Sequence, residues 1–384
     1  MNCRILTVPI QAGRLTLMIR HEDLPIEHCL SYATRQNPRR FYLFVSKVLG
    51  KHWPVRPSIM HEIHVRLAAK IAHLPGPVLV IGMAETATAL GRGVAEEAAK
   101  HTERDDILYL QTTRHRLSRP LAFSFDESHS HAPDHVVYLP GPELQSLFRA
   151  ARSLVLVDDE ISTGRTLAEL AGAYVRLNPR LERIALVSIV NWLDDPRRQE
   201  LKQSLARPVS FPALVEGTFQ FEPDPEFLPP NLPMIDTDPH PEHDRIAVDP
   251  ALSGVLAGRW RLATDPGFSW GTGRNHPPDR PLALIGTGEY AYTPFRLALA
   301  LEEAGYDVHF QSTTRSPILM GDAIASRCEF PDHCGDGIPN YLYNLDPGRL
   351  PVILYEHPAL SAKHSLPQLL NGLALVVEEA CRVS

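Results

Sequence analysis

The sequence predicts two α/β domains, each built around a largely parallel sheet. From residue 78 the chain alternates apolar runs with a helix-forming segment, in the order VLVIG, ETATALGRGVAEEAAK and DILYLQ. Such alternation indicates parallel strands joined by helical crossovers. The same pattern returns after residue 281. At about 150 residues per domain, a chain of 384 residues has room for two or three domains.

The predicted boundaries divide the chain into four parts. These are an N-terminal hood and basic segment (1–75), a first α/β domain (76–220), a connector (221–280) and a smaller second α/β domain (281–384). Proline accounts for 35 of 384 residues, about 9% against a usual share of about 5%. It is densest in the connector, which lacks periodicity and is expected to be irregular.

Charge and cysteine content exclude several classes of protein. The net charge of -7 argues against a nucleic-acid or anionic-membrane binder. Five scattered cysteines without a CxxC pair do not resemble a disulfide framework. We see neither a signal-peptide pattern nor an apolar run of about 20 residues, and we expect a cytoplasmic protein.

The N-terminal part has two β-like runs, at 5–8 and 15–19, and a helical pattern at 58–72. Between them lies a stretch, 35–56, in which basic and aromatic residues are interleaved. Its members are Arg39, Arg40, Lys47, Lys51, Arg56, Phe41, Tyr42, Phe44 and Trp53. Two interpretations stay open: a local anion site, or a solvated edge with buried aromatic rings.

Four landmarks of the first domain recur, in the same order, in the second. LVIGMAETA (79–87) matches ALIGTGEYA (283–291), and Thr-Thr-Arg follows at 112–114 and at 313–315. FDESHSH and SLVLVDDE are echoed by FPDHCGD and LPVILYEHP. We interpret the second domain as a degenerate copy of the first. The alternative is that any two strand, glycine-turn and helix units look alike.

The most informative segment is LVLVDDEISTGRT, at 154–166. Its apolar strand brings Asp158 and Asp159 to the carboxyl edge of the sheet, where open α/β sheets bind ligands. A loop of small residues then opens a helix, so that backbone N–H groups and hydroxyls face one anion, such as a phosphate monoester. The adjacent carboxylates suit a sugar diol or Mg²⁺. Alternatively, the two acids only cap the following helix.

This segment resembles the phosphoribosyl-pyrophosphate (PRPP) signature of type I phosphoribosyltransferases. The resemblance implies that Asp158 and Asp159 hold the ribose hydroxyls, with Mg²⁺ bridging to pyrophosphate. It also implies a 5-phosphate cradle formed by Ser162, Thr163, Gly164, Arg165 and Thr166. The chain departs from the family at Glu160, where an apolar residue is usual. Ser162 is a small polar residue, as in orotate-type enzymes, where 6-oxopurine enzymes have an acid.

The resemblance also implies a pyrophosphate loop, often with a non-proline cis peptide. Its place is taken by Gly82, Met83, Ala84, Glu85 and Thr86. Because Thr86 replaces a basic residue that is common in relatives, the charge of pyrophosphate must be met elsewhere. The candidates are Arg92, Lys47, Lys51 and Arg56, with ordinary surface charge as the alternative.

A polar segment, 114–140, corresponds to the mobile catalytic hood of the family, which excludes water from the reaction. Arg114 or Arg116 would neutralise departing pyrophosphate, and one histidine would act as acid or base. Two alternatives stay open for the histidines of this region: they bind a metal ion, or they are simply solvated. The metal ligands would be Asp126, His129, His131 and His135. Cys328, His333 and Cys334 raise the same question in the second domain.

Thr314-Arg315-Ser316-Pro317 provides a second resemblance, to the TRSP domain. That domain is fused behind an orotate-type phosphoribosyltransferase domain in proteins of bacterial tellurium-resistance stress operons. The second-domain candidate site comprises Gly286, Gly288, Glu289, Thr314, Arg315 and Ser316. We expect no PRPP site there, because the copy reads Tyr355-Glu356-His357-Pro358 where the first domain has its acids. Alternatively, Arg315 pairs with Glu289 or Asp322 and braces the fold.

The resemblances imply a phosphoribosyltransferase that uses PRPP and Mg²⁺ to make a nucleoside-like metabolite. Its ligands would be PRPP or pyrophosphate and an unidentified base, with no nucleic acid and no membrane. A homodimer and other enzymes of the same operon stay open as protein partners. The alternatives are a PRPP- or nucleotide-binding regulator without turnover, and hydrolysis of a nucleoside or nucleotide.

Overall fold

The computed structural model describes residues 3–37, 40–115, 117–125, 135–228, 249–260, 280–333 and 337–377. In the first part of the chain the elements are β1 (Arg4–Ile10), β2 (Gly13–Glu22), α1 (Ile26–Cys29), β3 (Leu30–Thr34), β4 (Tyr42–Ser46), α2 (Pro57–Ile71), β5 (Val78–Gly82), α3 (Thr88–Thr102), β6 (Ile107–Gln111), β7 (Leu121–Phe125), β8 (His135–Tyr138), α4 (Gln145–Ala150), β9 (Ser153–Ile161), α5 (Arg165–Leu177), β10 (Arg183–Asn191), α6 (Asp195–Leu205), β11 (Val209–Ser210) and β12 (Ala213–Pro223). After the connector they are β13 (Val255–Leu256), β14 (Leu282–Gly286), α7 (Tyr292–Glu303), β15 (Val308–Ser312), β16 (Arg327–Phe330), β17 (Asn340–Tyr343), β18 (Leu350–Tyr355), α8 (Pro358–Lys363), α9 (Leu366–Leu369) and β19 (Leu373–Val376). Single 3₁₀ turns cover Pro142–Leu144 and Pro250–Leu252.

The first domain is organised around a main sheet with the strand order β1-β2-β12-β10-β9-β5-β6-β13, in which β11 also pairs with β10. Its centre, β10-β9-β5-β6, is parallel. All five residues of β5 are buried, as expected for a parallel strand covered on both faces. The segment 1–75 shares this sheet, because β2 pairs antiparallel with β12. From the connector, β13 pairs with β6. No described helix is long and apolar enough to cross a membrane.

The second domain repeats the topology of the first. Its parallel sheet has the order β15-β14-β18-β19, which reproduces β6-β5-β9-β10 when strands are matched by their sequence echoes. The antiparallel hairpin β16–β17 lies where the first domain has β7–β8. The predicted fold class, a mostly parallel α/β domain followed by a smaller α/β domain, is confirmed.

Individual hydrogen bonds also recur at equivalent positions. The Tyr138 hydroxyl donates to the carbonyl of His115 (2.9 Å) and accepts from the N–H of Leu117 (2.6 Å). In the second domain the Tyr343 hydroxyl makes the same two bonds, to Ser316 (2.7 Å) and Ile318 (2.9 Å). Agreement at this level favours duplication over a chance likeness of two strand-turn-helix units.

The two domains share an apolar interface. Helices α2 and α3 pack against α7, and one buried cluster joins Val55 and Met60 to Phe295 and Phe310. Val55 and Phe310 also exchange backbone hydrogen bonds of 3.0 and 2.8 Å. A second cluster joins β3 and β4 to the residues around Ile318. The basic and aromatic stretch therefore lies between the domains: Val45 and Val55 pack on the second domain, whereas Phe44 packs on Trp192 and Phe219 of the first.

Basic residues of that stretch have intramolecular partners. Arg40 pairs with Glu160, Lys47 donates to the carbonyl of Glu27, Lys51 contacts Glu85, and Arg56 pairs with Glu302. Arg39 lies outside the described residues. These contacts do not form a single anion site, and they do not form a solvated edge either, because Lys51 is only 2% exposed and is paired within the molecule.

We predict that Phe295→Ala destabilises the whole protein by about 3–5 kcal/mol, the usual cost of emptying a buried aromatic position. Phe295 is 1% exposed, and its ring lies 4.9 Å from the ring of His64 in the first domain. Ile59→Ala is the control, because Ile59 on α2 is 43% exposed; it should change stability by about 0.5 kcal/mol or less. Urea unfolding of the full chain measures both. Equal effects would show that this interface carries little stability.

Candidate active site

Strand β9 delivers the two predicted acids to the carboxyl edge of the main sheet. Residues 153–157 are buried, whereas Asp158 and Asp159 are partly exposed. The backbone N–H of Asp159 donates to the Asp158 carboxylate at 3.0 Å. Two neighbouring carboxylates at an open strand end can bind hydroxyls or a hard cation.

The predicted pyrophosphate loop lies directly beside these acids. The Thr86 hydroxyl is 2.9 Å from an Asp159 carboxylate oxygen and 3.5 Å from one of Asp158. The peptide bond between Ala84 and Glu85 is cis, as the resemblance implies. A Cβ on Gly82 would lie 2.5 Å from the Tyr109 hydroxyl oxygen, so only glycine fits this close approach.

The predicted phosphate cradle begins where β9 ends. Ser162 and Thr163 form the turn, Gly164 precedes the helix, and Arg165 and Thr166 begin α5. The first N–H groups of a helix have no partner within it and favour an anion. Gly164 has φ +64°, and an added Cβ would lie 2.9 Å from a Leu201 methyl. A valine there would therefore be strained even without a ligand, so Gly164→Val would not isolate phosphate binding.

Glu160 does not add a third open carboxylate to the site. Both of its oxygens accept from the Arg40 guanidinium, at 2.9 and 3.0 Å. Burial raises the pKa of Glu160, although Arg40 opposes that shift. The guanidinium also lies 4.8 Å from the centre of the Tyr42 ring. The family's apolar position is thus filled here by a partly buried ion pair.

Behind the pyrophosphate loop a cleft opens between the two domains. It is open to solvent and has a cavity volume of about 50 Å³. Its charged and histidine side chains include Glu85, Arg114, His115, Glu289, Arg315 and His333. The first-domain loop and the second-domain candidate site, which the sequence analysis treats as separate, therefore face the same space.

Glu85 is held at this cleft by both domains. The Lys51 ammonium is 3.4 Å from its carboxylate, and the backbone N–H of Arg315 donates to it at 3.0 Å. Burial alone would raise the pKa of Glu85, but the charges of Lys51 and Arg315 hold it at about 2. Sequence reasoning named Lys51 as a candidate for the loop and missed Glu85 as its partner.

The other basic candidates for the loop are placed elsewhere. The Arg92 guanidinium lies 4.7 Å from the centre of the Tyr292 ring, within the domain interface. Lys47 and Arg56 bind Glu27 and Glu302, as described above. Lys51 is thus the one of the four whose charged group is shown against the loop.

The hood region is described only in part. The backbone N–H of Arg114 donates to the Glu289 carboxylate at 3.3 Å, so Arg114 is turned toward the second domain. Arg116 lies outside the described residues, as do Asp126, His129 and His131. His135 is buried, with its ring Nδ1 3.2 Å from the Thr112 hydroxyl. That hydroxyl also accepts from the N–H of Ala84, which links the hood strand to the pyrophosphate loop.

The described residues contain no cluster of three His, Cys, Asp or Glu side chains that could hold a metal ion. His333 stacks on His364 with ring centres 4.6 Å apart, and burial lowers its pKa to about 4. Cys334 is not among the described residues. Since Asp126, His129 and His131 also lie outside the described residues, the metal site proposed for each histidine-rich region stays a prediction.

The second-domain candidate site surrounds the end of β14. Gly286 ends the strand, and the N–H of Gly288 donates to the Thr313 hydroxyl at 2.8 Å. Thr314 exchanges backbone hydrogen bonds with Tyr341, and the N–H of Ser316 donates to the Thr314 hydroxyl. Asp322, one of the two proposed partners of Arg315, accepts instead from the Thr34 hydroxyl at 2.8 Å and from the backbone of Gln11 at 3.1 Å.

Comparison with protein families follows this division of the chain. Residues 29–218 match the model described as "Phosphoribosyl transferase". Residues 272–373 match the "TRSP domain C terminus to PRTase_2". The chain belongs to this family of phosphoribosyl transferase domains followed by a TRSP domain. Both resemblances seen in the sequence are confirmed; the link to tellurium resistance is not part of these matches.

Solved structures with a similar fold are phosphoribosyltransferases. The adenine enzyme of Trypanosoma brucei, solved with AMP, pyrophosphate and ribose-5-phosphate, is 13% identical, with a TM-score of 0.36 over 56% of this chain and 87% of that one. The adenine enzyme of Rhodothermus marinus is 15% identical, with 0.30 over 49% and 94%. The orotate enzyme of Mycobacterium tuberculosis is 12% identical, with 0.28 over 48% and 89%. At these scores the likeness supports no argument about activity. No curated protein matches the sequence.

We predict that Asp158→Asn and Asp159→Asn each weaken PRPP binding by about 1.5–3 kcal/mol, the value of one charge-assisted contact. The melting temperature should stay unchanged, because both acids lie at an open strand end. Asp195→Asn is the control: its side chain is 83% exposed and far along the chain, on α6. Calorimetric titration and thermal melting measure the two effects. A collapse of the melting temperature would instead identify the acids as structural caps.

Proposed function

We propose that the protein transfers a ribosyl 5-phosphate unit between PRPP and a nitrogenous base, in the synthesis of a nucleoside-like metabolite. The base and the direction of the reaction are left open. A cytoplasmic setting and a role in a tellurium-resistance stress operon, with other enzymes of that operon or a second copy as partners, belong to the same proposal. The cytoplasmic setting rests on the cysteine pattern and composition of the sequence, and the operon role and its partners rest on the sequence resemblance alone.

The observation that carries this proposal is the convergence of three segments at one sheet edge. Asp158 and Asp159 lie near the carboxyl end of β9, Thr86 of the pyrophosphate loop touches both, and the loop 162–166 opens α5 beyond Ile161. PRPP requires a diol site, a diphosphate site and a monophosphate site within one molecule's reach. A pair of acids that merely capped a helix would not explain the adjoining loop.

The donor set also fits Mg²⁺. Two adjacent carboxylates and a hydroxyl offer the oxygen ligands that this ion prefers. Mg²⁺ usually keeps water and substrate oxygens as its other ligands. Asp158 and Asp159 would hold it, and when bound it would neutralise charge on the diphosphate. The chain's own groups then position the substrate: the helix N-terminus binds the 5-phosphate and the two acids orient the ribose.

A second function is favoured by Thr86. The family's usual basic residue is absent from the loop, and the hydroxyl that replaces it is directed at the two acids. A protein that binds PRPP or a nucleotide without turnover would tolerate this loss. Such a protein would signal through the second domain, which directly contacts the loop at Glu85.

Turnover separates the two functions. We predict that the wild-type chain, incubated with PRPP, Mg²⁺ and a mixture of bases, releases pyrophosphate, and that Asp159→Asn does not. Binding of PRPP by calorimetry without pyrophosphate release under any base would select the regulator. Release of ribose 5-phosphate without an acceptor would select hydrolysis. No heat at millimolar PRPP and Mg²⁺ would rule out the proposal.

A further inference from the structure

The two halves of the interdomain cleft are related by the internal duplication. Glu85 and Glu289 occupy matching positions in LVIGMAETA and ALIGTGEYA, and Arg114 and Arg315 both follow Thr-Thr. The Arg315 N–H donates to Glu85 at 3.0 Å, and the Arg114 N–H donates to Glu289 at 3.3 Å. Each domain therefore directs the turn after its second parallel strand at the glycine-containing loop of the other.

The surroundings of the two loops match as well. The N–H of Ala84 donates to the Thr112 hydroxyl at 2.8 Å, and the N–H of Gly288 donates to the Thr313 hydroxyl at the same distance. Thr112 and Thr313 each donate a backbone hydrogen bond of 3.0 Å to the glycine that ends the first strand. The two contacts between the domains, Arg315 to Glu85 and Arg114 to Glu289, are thus part of the same local backbone geometry in both domains.

The loop of the first domain lacks a cation of its own. Thr86 stands where relatives have a basic residue, and the buried ammonium of Lys51 faces the Glu85 carboxylate. Arg114 of the first domain and Arg315 of the second both line the cleft, and Arg315 is the one whose backbone N–H contacts Glu85 of the loop. Arg315 lines the same cleft as Glu85, and its charge contributes to the low pKa of that carboxyl group.

We propose that the second domain completes the pyrophosphate site of the first, with the Arg315 guanidinium as the group that binds the diphosphate. This inference rests on the proposed function. It gives the Thr314–Arg315–Ser316–Pro317 turn a role in the substrate site of the preceding domain, in place of a separate ligand site or a simple brace. Arg315 is then a binding residue for pyrophosphate and for the diphosphate of PRPP.

The side chain of Arg315 can be removed while its backbone contact to Glu85 is kept, and thermal melting then reports the effect of the charge that Glu85 loses. The Arg315 group that holds Glu85 is a backbone N–H, so Arg315→Ala keeps that hydrogen bond. Arg327→Ala is the matched control, because Arg327 lies in the same domain, is 30% exposed and does not line the cleft. Arg315→Lys keeps the charge and loses the planar fork.

The experiment titrates the full-length chain, with Mg²⁺, against pyrophosphate, PRPP and ribose 5-phosphate. We expect Arg315→Ala to weaken pyrophosphate and PRPP by about tenfold or more, the loss typical of one charge-assisted hydrogen bond. Ribose 5-phosphate, which has no diphosphate, should bind as in the wild type. Arg315→Lys should recover part of the loss, and Arg327→Ala should show none.

Three results would overturn the inference. Equal pyrophosphate affinity in wild type and Arg315→Ala would show that the side chain does not reach the ligand. Equal weakening of all three ligands, together with a lower melting temperature, would return Arg315 to a bracing role. Failure of the wild type to bind PRPP at all would remove the proposed function as well, whereas the first two results leave it intact.

Discussion

A carboxylate enclosed between two domains is the constraint around which this molecule is arranged. An uncompensated buried charge is strongly destabilising, so Glu85 requires positive partners wherever the loop is placed. Lys51, which is 2% exposed, supplies one from the N-terminal segment, and Arg315 supplies a second charge and an N–H from the other domain. The loop, the N-terminal segment and the second domain are thereby joined electrostatically at the point where pyrophosphate is expected.

The apolar interface between the two domains stabilises this arrangement. Lys51 also donates to the carbonyl of Gly288 at 2.9 Å, and four residues later Val55 pairs with the edge strand β15. The stretch around them packs its aromatic and apolar side chains on both domains, so several of its basic residues serve as intramolecular partners. A segment that looks like an anion site by composition therefore acts mainly as the connection between two sheets.

The parts of the fold that sequence reasoning anticipated are those specified locally. Strands β5 and β9, the turn at Gly82 and the loop before α5 each follow from a few consecutive residues, because burial and helix initiation are local properties. The partners of charged residues are not local. Glu160 binds Arg40, 120 positions away in the sequence, and Glu85 binds Arg315, 230 positions away. Neither contact produces a local sequence pattern from which it could be predicted. The antiparallel pairing of β2 with β12 was missed for the same reason. What the internal repeat did offer was a correspondence between Arg114 and Arg315, from which the reciprocal contacts could have been anticipated.

The end of β18 shows why the second domain lacks the groups that form the proposed PRPP site of the first. In the first domain, the two acids are followed by a loop of small residues and by a helix of 13 residues, α5. In the second, β18 ends in the fully buried Tyr355, and His357 caps α8 by accepting from the N–H of Ala359 at 3.1 Å. Pro358 has no N–H to give, and α8 spans six residues. The backbone donors that would bind a phosphate are thus absent or already used. Features that face the first domain, Glu289 and the turn at Arg315, are retained in the copy, which is the pattern expected if the second domain serves the site of the first.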